Sequence, residues 1–270
     1  MTAQGKTTGV RSQQASQDDA WKEERQRLRA LEGMTDPSSL RRLDALGLRE
    51  GWSCLEVGCG SGSIARWMSH RVVPAGGRVV ALDVDTRFAA DAAGPALEVR
   101  QQDVATAPLP QMVFDVVHVR RVLQPRLQLE QVMERLLSAL KPGGWLLLEE
   151  METFSLAQNE TGPFRQMVEV LHTLERSARA ASPPVRALPG TLQRLGLKNV
   201  SAEGELLVFS GGSPAAEYHR HLGARLWREG EHLRMLTRKQ YEQCLEKLSE
   251  PSTWFYGPTL FSVCGQRPFR

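Results

Sequence analysis

The stretch Leu55-Glu56-Val57-Gly58-Cys59-Gly60-Ser61-Gly62 constrains the fold more than any other part of the chain. A short apolar run, Ser53 to Val57, enters a turn rich in glycine, and a helical pattern through Ile64, Trp67 and Met68 leaves it. Glycine lets the backbone take positive φ and come close to a ligand where a Cβ would clash. A strand that turns on glycine straight into a helix suits an open α/β sheet. Such sheets bind ligands outside the carboxyl ends of their strands, near the point where strand order reverses.

The rest of the chain extends that pattern. Strands are predicted at Arg78 to Leu82, ending at Asp83; at Leu97 to Gln101, ending near Asp103; and at Met112 to Val119. A helix is predicted over Leu127 to Leu140, then the turn Lys141-Pro142-Gly143-Gly144, then a strand beginning at Trp145 to Leu148. Strands alternating with helices imply a parallel sheet with right-handed crossovers. Near-continuous Val and Leu imply burial of both faces.

Before the sheet, residues 1–17 read as a disordered tail rich in Gln, Ser, Thr and Gly. A helix follows over Asp18 to Leu31, with Trp21, Leu28 and Leu31 as its apolar stripe. A second helix starts at Asp36-Pro37, an N-cap followed by proline, and stops at Gly47. After Glu150 the alternation lapses. Helix is predicted over 160–181, ended by Pro183-Pro184, and over Pro189 to Leu195; strand over 199–209; helix over 214–250 with a break near Gly230; and a last strand over Trp254 to Cys264. The segments 151–188 and 210–252 are expected to cap the carboxyl edge of the sheet. Met151, Phe154, Phe164, Met167, Leu171 and Trp227 in them suit an apolar substrate pocket or a packed core equally well.

Composition narrows the partners. Lys and Arg number 34 against 31 Asp and Glu, a net charge of +3 in 270 residues, too small to argue for nucleic acid. Arg120, Arg121 and Arg126 form a local basic cluster that suits a solvated loop or an acidic ligand. Cys54, Cys59, Cys244 and Cys264 form no CxxC pair, and no metal site is expected. The polar N-terminus and the shortness of every apolar run speak against a signal peptide or a bilayer span, so a cytoplasmic protein is expected, as monomer or homodimer.

Three acids stand at successive strand ends. Glu56 precedes the first glycine by two positions; it would suit an ammonium group and repel a pyrophosphate. The glycine spacing is GxGxG, and Ser63 stands where a GxGxxG dinucleotide loop has its last glycine. Asp83, with Asp85 as a second choice, can accept both hydroxyls of a ribose. Asp103 can accept adenine amino hydrogens while the Val104 amide reaches a ring nitrogen.

The runs LEVGCGSGS, VVALDVD, QQDV, PLPQMVFDVVHVRRVLQ and LSALKPGGWLLLEE resemble class I S-adenosylmethionine-dependent methyltransferases, particularly the small-molecule branch of ubiquinone/menaquinone-type and natural-product enzymes. The resemblance is close over about residues 40–150 and loose elsewhere. It implies an α/β fold: a doubly wound, Rossmann-like, mostly parallel seven-stranded sheet with an antiparallel last strand and helical cap insertions, in a single domain over 18–270. It implies S-adenosylmethionine as cofactor, with Glu56, Gly58, Gly60 and Gly62 in the cofactor loop, Asp83 on the ribose, Asp103 and Val104 on the adenine, and Val119 and Arg120 at the methionine end. The strands at 199–209 and 254–264 should lie side by side. Methyl transfer to a small-molecule acceptor, an oxygen nucleophile of a secondary metabolite, is the expected activity; the alternative is a fold relative that keeps the cofactor but catalyses a cyclisation. Relatives carry a histidine shortly after the fourth strand where this chain has Leu123-Gln124-Pro125. His118, at the end of the fourth strand, is the candidate base, and Glu149 and Glu150, which end the fifth strand, could also face the pocket. His172, His219 and His221 read as packing or surface residues.

Overall fold

The computed structural model describes residues 5–123, 129–159, 162–178 and 185–269. Seven strands form one sheet: β1 (Ser53–Val57), β2 (Arg78–Asp83), β3 (Leu97–Gln101), β4 (Phe114–Arg120), β5 (Leu140–Glu152), β6 (Lys198–Ser210) and β7 (Trp254–Gln266). Their order is β3-β2-β1-β4-β5-β7-β6. The first five pair in parallel. β7 runs antiparallel to both β5 and β6, so it alone opposes the rest. Strand order reverses between β1 and β4, and the carboxyl ends of these strands frame the crevice there.

Side-chain alternation explains the burial of both faces. Leu55, Val57, Val117, Val119, Leu146 and Leu148 face one cluster, which also holds Val132, Met133 and Leu136 of α3 (Leu129–Ala139) and Leu188 and Leu192 of α5 (Leu188–Arg194). Cys54, Val116 and Leu147 face the other, with Ile64, Ala65 and Met68 of α2 (Ser63–Val72) and Leu43 of α1 (Gly5–Ala45). All four cysteines are free thiols. Among the described residues no helix is long and apolar enough to cross a membrane.

The structure differs from the sequence expectation at α1. One helix takes in the residues read as two, and it is already helical at Gly5, within the stretch expected as tail; residues 1–4 lie outside the described residues. Pro37 therefore sits inside a helix rather than at its first turn. It has no N–H for the Gly33 carbonyl. The helix continues because tertiary packing holds both sides of the gap. Ala30 and Met34 enter the cap core, a Cβ on Gly33 would lie 2.9 Å from Pro214, and Thr35 Oγ1 donates to the Leu31 carbonyl at 2.8 Å. The Lys141–Gly144 turn is a bulge within β5: Phe114 pairs with Leu140, but Val116 pairs with Trp145.

The helical segments after β5 supply α4 (Pro163–Ala178), α6 (Pro214–His232) and α7 (Arg238–Ser249). Phe164, Met167, Leu226 and Cys244 from them bury against Phe209 and Phe255 of the sheet's antiparallel end. Leu171 and Trp227 pack on the same cluster and Phe154 is exposed, so most of the stripe that could have lined a pocket is core.

Candidate active site

At the carboxyl ends of β1 to β4 lies a cavity of about 1050 Å³, walled on its open side by α1. Its floor is the glycine turn. Gly58, Gly60 and Gly62 all have φ between 56° and 80°, which glycine tolerates and other residues rarely adopt. A Cβ on Gly58 would come within 2.2 Å of Val122 Cγ2. The end of β2 fixes the turn: the amides of Gly58 and Cys59 both donate to the Leu82 carbonyl, at 2.8 and 3.0 Å. Asp83 completes the clamp, its Oδ2 accepting the Gly60 N–H at 2.9 Å and its Oδ1 the Asp85 N–H at 3.0 Å.

Gly58, Gly60, Asp83, Asp103, Val104 and Arg120 all line this cavity, as does Asp85. Asp103 Oδ1 accepts the Ala105 N–H at 2.8 Å, which holds the carboxylate at the strand end. α1 contributes Trp21, Glu24, Arg27, Leu28 and Glu32, and Trp21 stacks on Phe88 with centroids 5.9 Å apart. Sequence reasoning missed Phe88 and the polar residues of α1; the spacing of Trp21, Glu24, Leu28 and Leu31 along one helix face was the available signal.

Four expected residues do not line the cavity. Gly62 ends the turn as the cap of α2, and Val119 is buried in the sheet core. Glu56 and His118 project from the face covered by α1, because they are paired in register and share a side with Cys54 and Leu147. Burial pushes the Glu56 carboxyl up to about 8 against the opposing charge of Arg120. His118 is fully buried; its Nε2 lies 2.9 Å from Glu149 Oε2 and its Nδ1 3.9 Å from Glu56 Oε1. It is not placed to touch an acceptor in the cavity.

His118 belongs instead to a buried polar network that fastens α1 to the sheet, whereas Glu56 beside it has no hydrogen-bond partner for its Oε2 among the described residues. Glu149 on β5 receives Arg42 at 3.1 Å, Ser262 Oγ at 3.0 Å, His118, and Ser39 Oγ. Burial opposes its charge, but the His118 and Ser39 hydrogen bonds and the nearby Arg120 outweigh burial and hold the carboxyl down at about 2. Arg42 also reaches Glu205 at 3.3 Å, and Glu205 accepts from Ser38 Oγ at 2.7 Å. The other histidines singled out from the sequence, His172, His219 and His221, make contacts within the fold. Burial pushes His219 down to about 4 where it stacks on Phe209, and His172 bonds the Thr153 carbonyl. His221 pairs with Glu217. Among the described residues no group of three or more His, Cys, Asp or Glu is arranged for a metal.

At the end of β4, Arg120 pairs with Asp36 at 2.8 Å and Arg121 turns into the left-handed region, φ 58°. Both line the main cavity and a narrow gap that continues from it past Glu150 and Met151. Arg126 lies outside the described residues. Burial raises the Glu150 carboxyl to about 7, although it accepts the Leu123 N–H at 3.0 Å and lies near Arg121.

A family model described as a methyltransferase domain matches residues 18–248. The chain belongs to that family. An uncharacterised 37.1 kDa protein in transposon TN4556 of Streptomyces fradiae is 34% identical over 119 residues, 42% of this chain and 34% of that protein. Malonyl-[acyl-carrier protein] O-methyltransferase of Enterobacter lignolyticus is 28% identical over 191 residues, 70% of this chain and 71% of that protein. The solved structure of Haemonchus contortus phosphoethanolamine N-methyltransferase 2 superposes with a TM-score of 0.55 at 15% identity, covering 86% of this chain and 52% of that one. That of the YcgJ protein from Bacillus subtilis gives 0.55 at 16%, covering 83% and 98%. The chain thus spans about a third of the Streptomyces protein and half of the Haemonchus chain.

S-adenosylmethionine is the cofactor of the family, and the groups around the cavity have the chemistry for it. Each Asp83 oxygen carries one backbone bond and keeps acceptor capacity for a ribose hydroxyl. Asp103 has one oxygen held by Ala105 and a second for an amino group. The glycine backbone, with Gly60 at φ 56°, presents no side chain to a ligand approaching it.

Proposed function

We propose that this chain transfers a methyl group from S-adenosylmethionine to an oxygen of a small-molecule acceptor. The observation that carries the reading is the meeting of the glycine turn, Asp83 and Asp103 around one cavity under α1. The Enterobacter relative is named as an O-methyltransferase, which supports an oxygen acceptor. When bound, the cofactor supplies an activated methyl group on a positively charged sulfur.

The protein's own part is alignment and exclusion of water. Asp83 orients the ribose, Asp103 and the Val104 amide the adenine, and the Gly58–Gly60 backbone the methionyl chain. Trp21 and Phe88 cover the open side and keep solvent out.

The test is incubation of the protein with labelled S-adenosylmethionine and a panel of hydroxylated and carboxylated small molecules. Formation of S-adenosylhomocysteine together with a product heavier by one methylene is expected. A substrate rearranged while the cofactor stays intact would replace this reading with the cyclisation.

A further inference from the structure

We propose that Arg121 anchors an oxyanion, such as a carboxylate, of the molecule that receives the methyl group; this rests on the methyl-transfer reading. Among the described residues four arginines line the cavity: Arg27, Arg87, Arg120 and Arg121. Three are satisfied by a carboxylate, Arg27 by Glu24 at 2.6 Å, Arg87 by Asp85 at 2.6 Å, and Arg120 by Asp36 at 2.8 Å. Arg121 is the exception. Among the described residues its Nη1 donates only to neutral atoms, Tyr218 Oη at 2.8 Å and Met151 Sδ at 2.9 Å, and its guanidinium stands 5.7 Å from the Tyr218 ring centre. Glu150 lies near but makes no hydrogen bond to it, and burial favours the neutral form of that carboxyl; a half-buried guanidinium with no carboxylate bonded to it among the described residues favours capture of an anion. A guanidinium has five donors in a fork that matches a carboxylate, and these contacts use one nitrogen.

The backbone gives a second reason. Arg121 has φ 58°, while its N–H is tied to the Glu149 carbonyl at 2.9 Å. A long side chain rarely occupies that region, and such outliers concentrate where a side chain must be aimed. The aim is toward the cap: Tyr218 is on α6 and Met151 on the cap end of β5. Asp83 and Asp103, the groups for the nucleoside, lie on the other side of the strand-order reversal. An anion on Arg121 is therefore not the nucleoside's, and the aim toward the cap assigns it to a second molecule rather than to the cofactor's carboxylate, which the experiment separates by its effect on S-adenosylhomocysteine binding.

The experiment is titration of the protein, with and without S-adenosylhomocysteine, with the matched probes 4-phenylbutyrate and 4-phenylbutyramide. The wild type is expected to prefer the acid by roughly tenfold or more, as a charged hydrogen bond does over a neutral one. Arg121→Gln should abolish that preference and leave S-adenosylhomocysteine affinity within about twofold. Arg121→Lys should keep part of the preference, and it reads the charge if the Gln variant fails to fold. No acid preference in the wild type, or the same preference in Arg121→Gln, overturns the proposal. So does an Arg121→Gln variant that loses S-adenosylhomocysteine instead, since Arg121 would then serve the cofactor. Failure of the wild type to bind S-adenosylhomocysteine sinks the methyl-transfer reading, while the acid–amide comparison on the unloaded protein still reports on Arg121.

Discussion

Arg42 of α1 and Glu149 of β5 meet at 3.1 Å with both side chains almost wholly out of solvent. Residues 107 apart in sequence thereby fasten the helix that walls the cavity to the strand beside the site. Removing one partner of a buried pair leaves the other charge uncompensated, which costs about 3–5 kcal/mol. Glu149→Ala should lose about that much in chemical denaturation, and Arg42→Ala somewhat less because Glu149 keeps Ser39, His118 and Ser262. Equal, small losses would remove the fastening role.

Asp83 is expected to matter for ligand as well as for the turn it clamps. Charged hydrogen bonds contribute about 1.5–3 kcal/mol each. Asp83→Ala should weaken S-adenosylhomocysteine binding by about ten- to a hundredfold in calorimetry. Unchanged affinity would separate the cavity from the cofactor.

Gly58 tests the turn. Alanine there meets both an unfavourable φ of 77° and Val122 Cγ2. Gly58→Ala should lower stability by about 1–3 kcal/mol and weaken cofactor binding. The double variant with Val122→Ala should recover part of the stability but not all, because the φ penalty remains.

His118→Gln separates packing from catalysis. The imidazole touches Glu149 rather than the cavity. The variant should lose about 1–2 kcal/mol of stability while S-adenosylhomocysteine affinity stays within about twofold. A loss of turnover with no loss of stability would restore His118 as a base.

The buried carboxyls set opposite pH slopes. Glu149 sits near 2 against an ordinary 4.5, so its contribution is present above 4.5 and is lost as pH falls toward 2. Glu56 and Glu150 sit near 8 and 7, so the folded state keeps protons that the unfolded chain releases above 4.5. Stability from these two is full below 4.5, declines as pH rises from there to 7 or 8, and levels off above. Melting curves of Glu56→Gln and Glu150→Gln should be flatter than wild type over pH 5–8, and Glu149→Gln flatter below 4.5.

Much of this molecule was legible from short-range chemistry. Asp83 and Asp103 could be placed because each carboxylate accepts an amide two residues on, a contact the local sequence determines. The sheet strands followed from runs of Val and Leu. Glu56 was not legible in the same way. Strand alternation leaves two faces open to a residue, and the face that α1 covers is settled by Arg42, Ser38 and their partners on β5 and β6. Pro37 misled because a proline after aspartate is a fair helix start, and only the packing of Gly33 against Pro214 overrides it. Arg121 was visible as part of a basic cluster, but its lack of a carboxylate partner emerges only when its neighbours are known.

The missing N–H at Pro37 falls between the two jobs of α1. Trp21 to Glu32 form the cavity wall, and Ser38 to Arg42 are bound into the sheet. A bend at that joint breaks one backbone bond fewer than a bend elsewhere along the helix. The straightness of α1 at that point therefore rests on its neighbours, Ala30 and Met34 in the cap core and Gly33 against Pro214, rather than on its own ladder of backbone bonds.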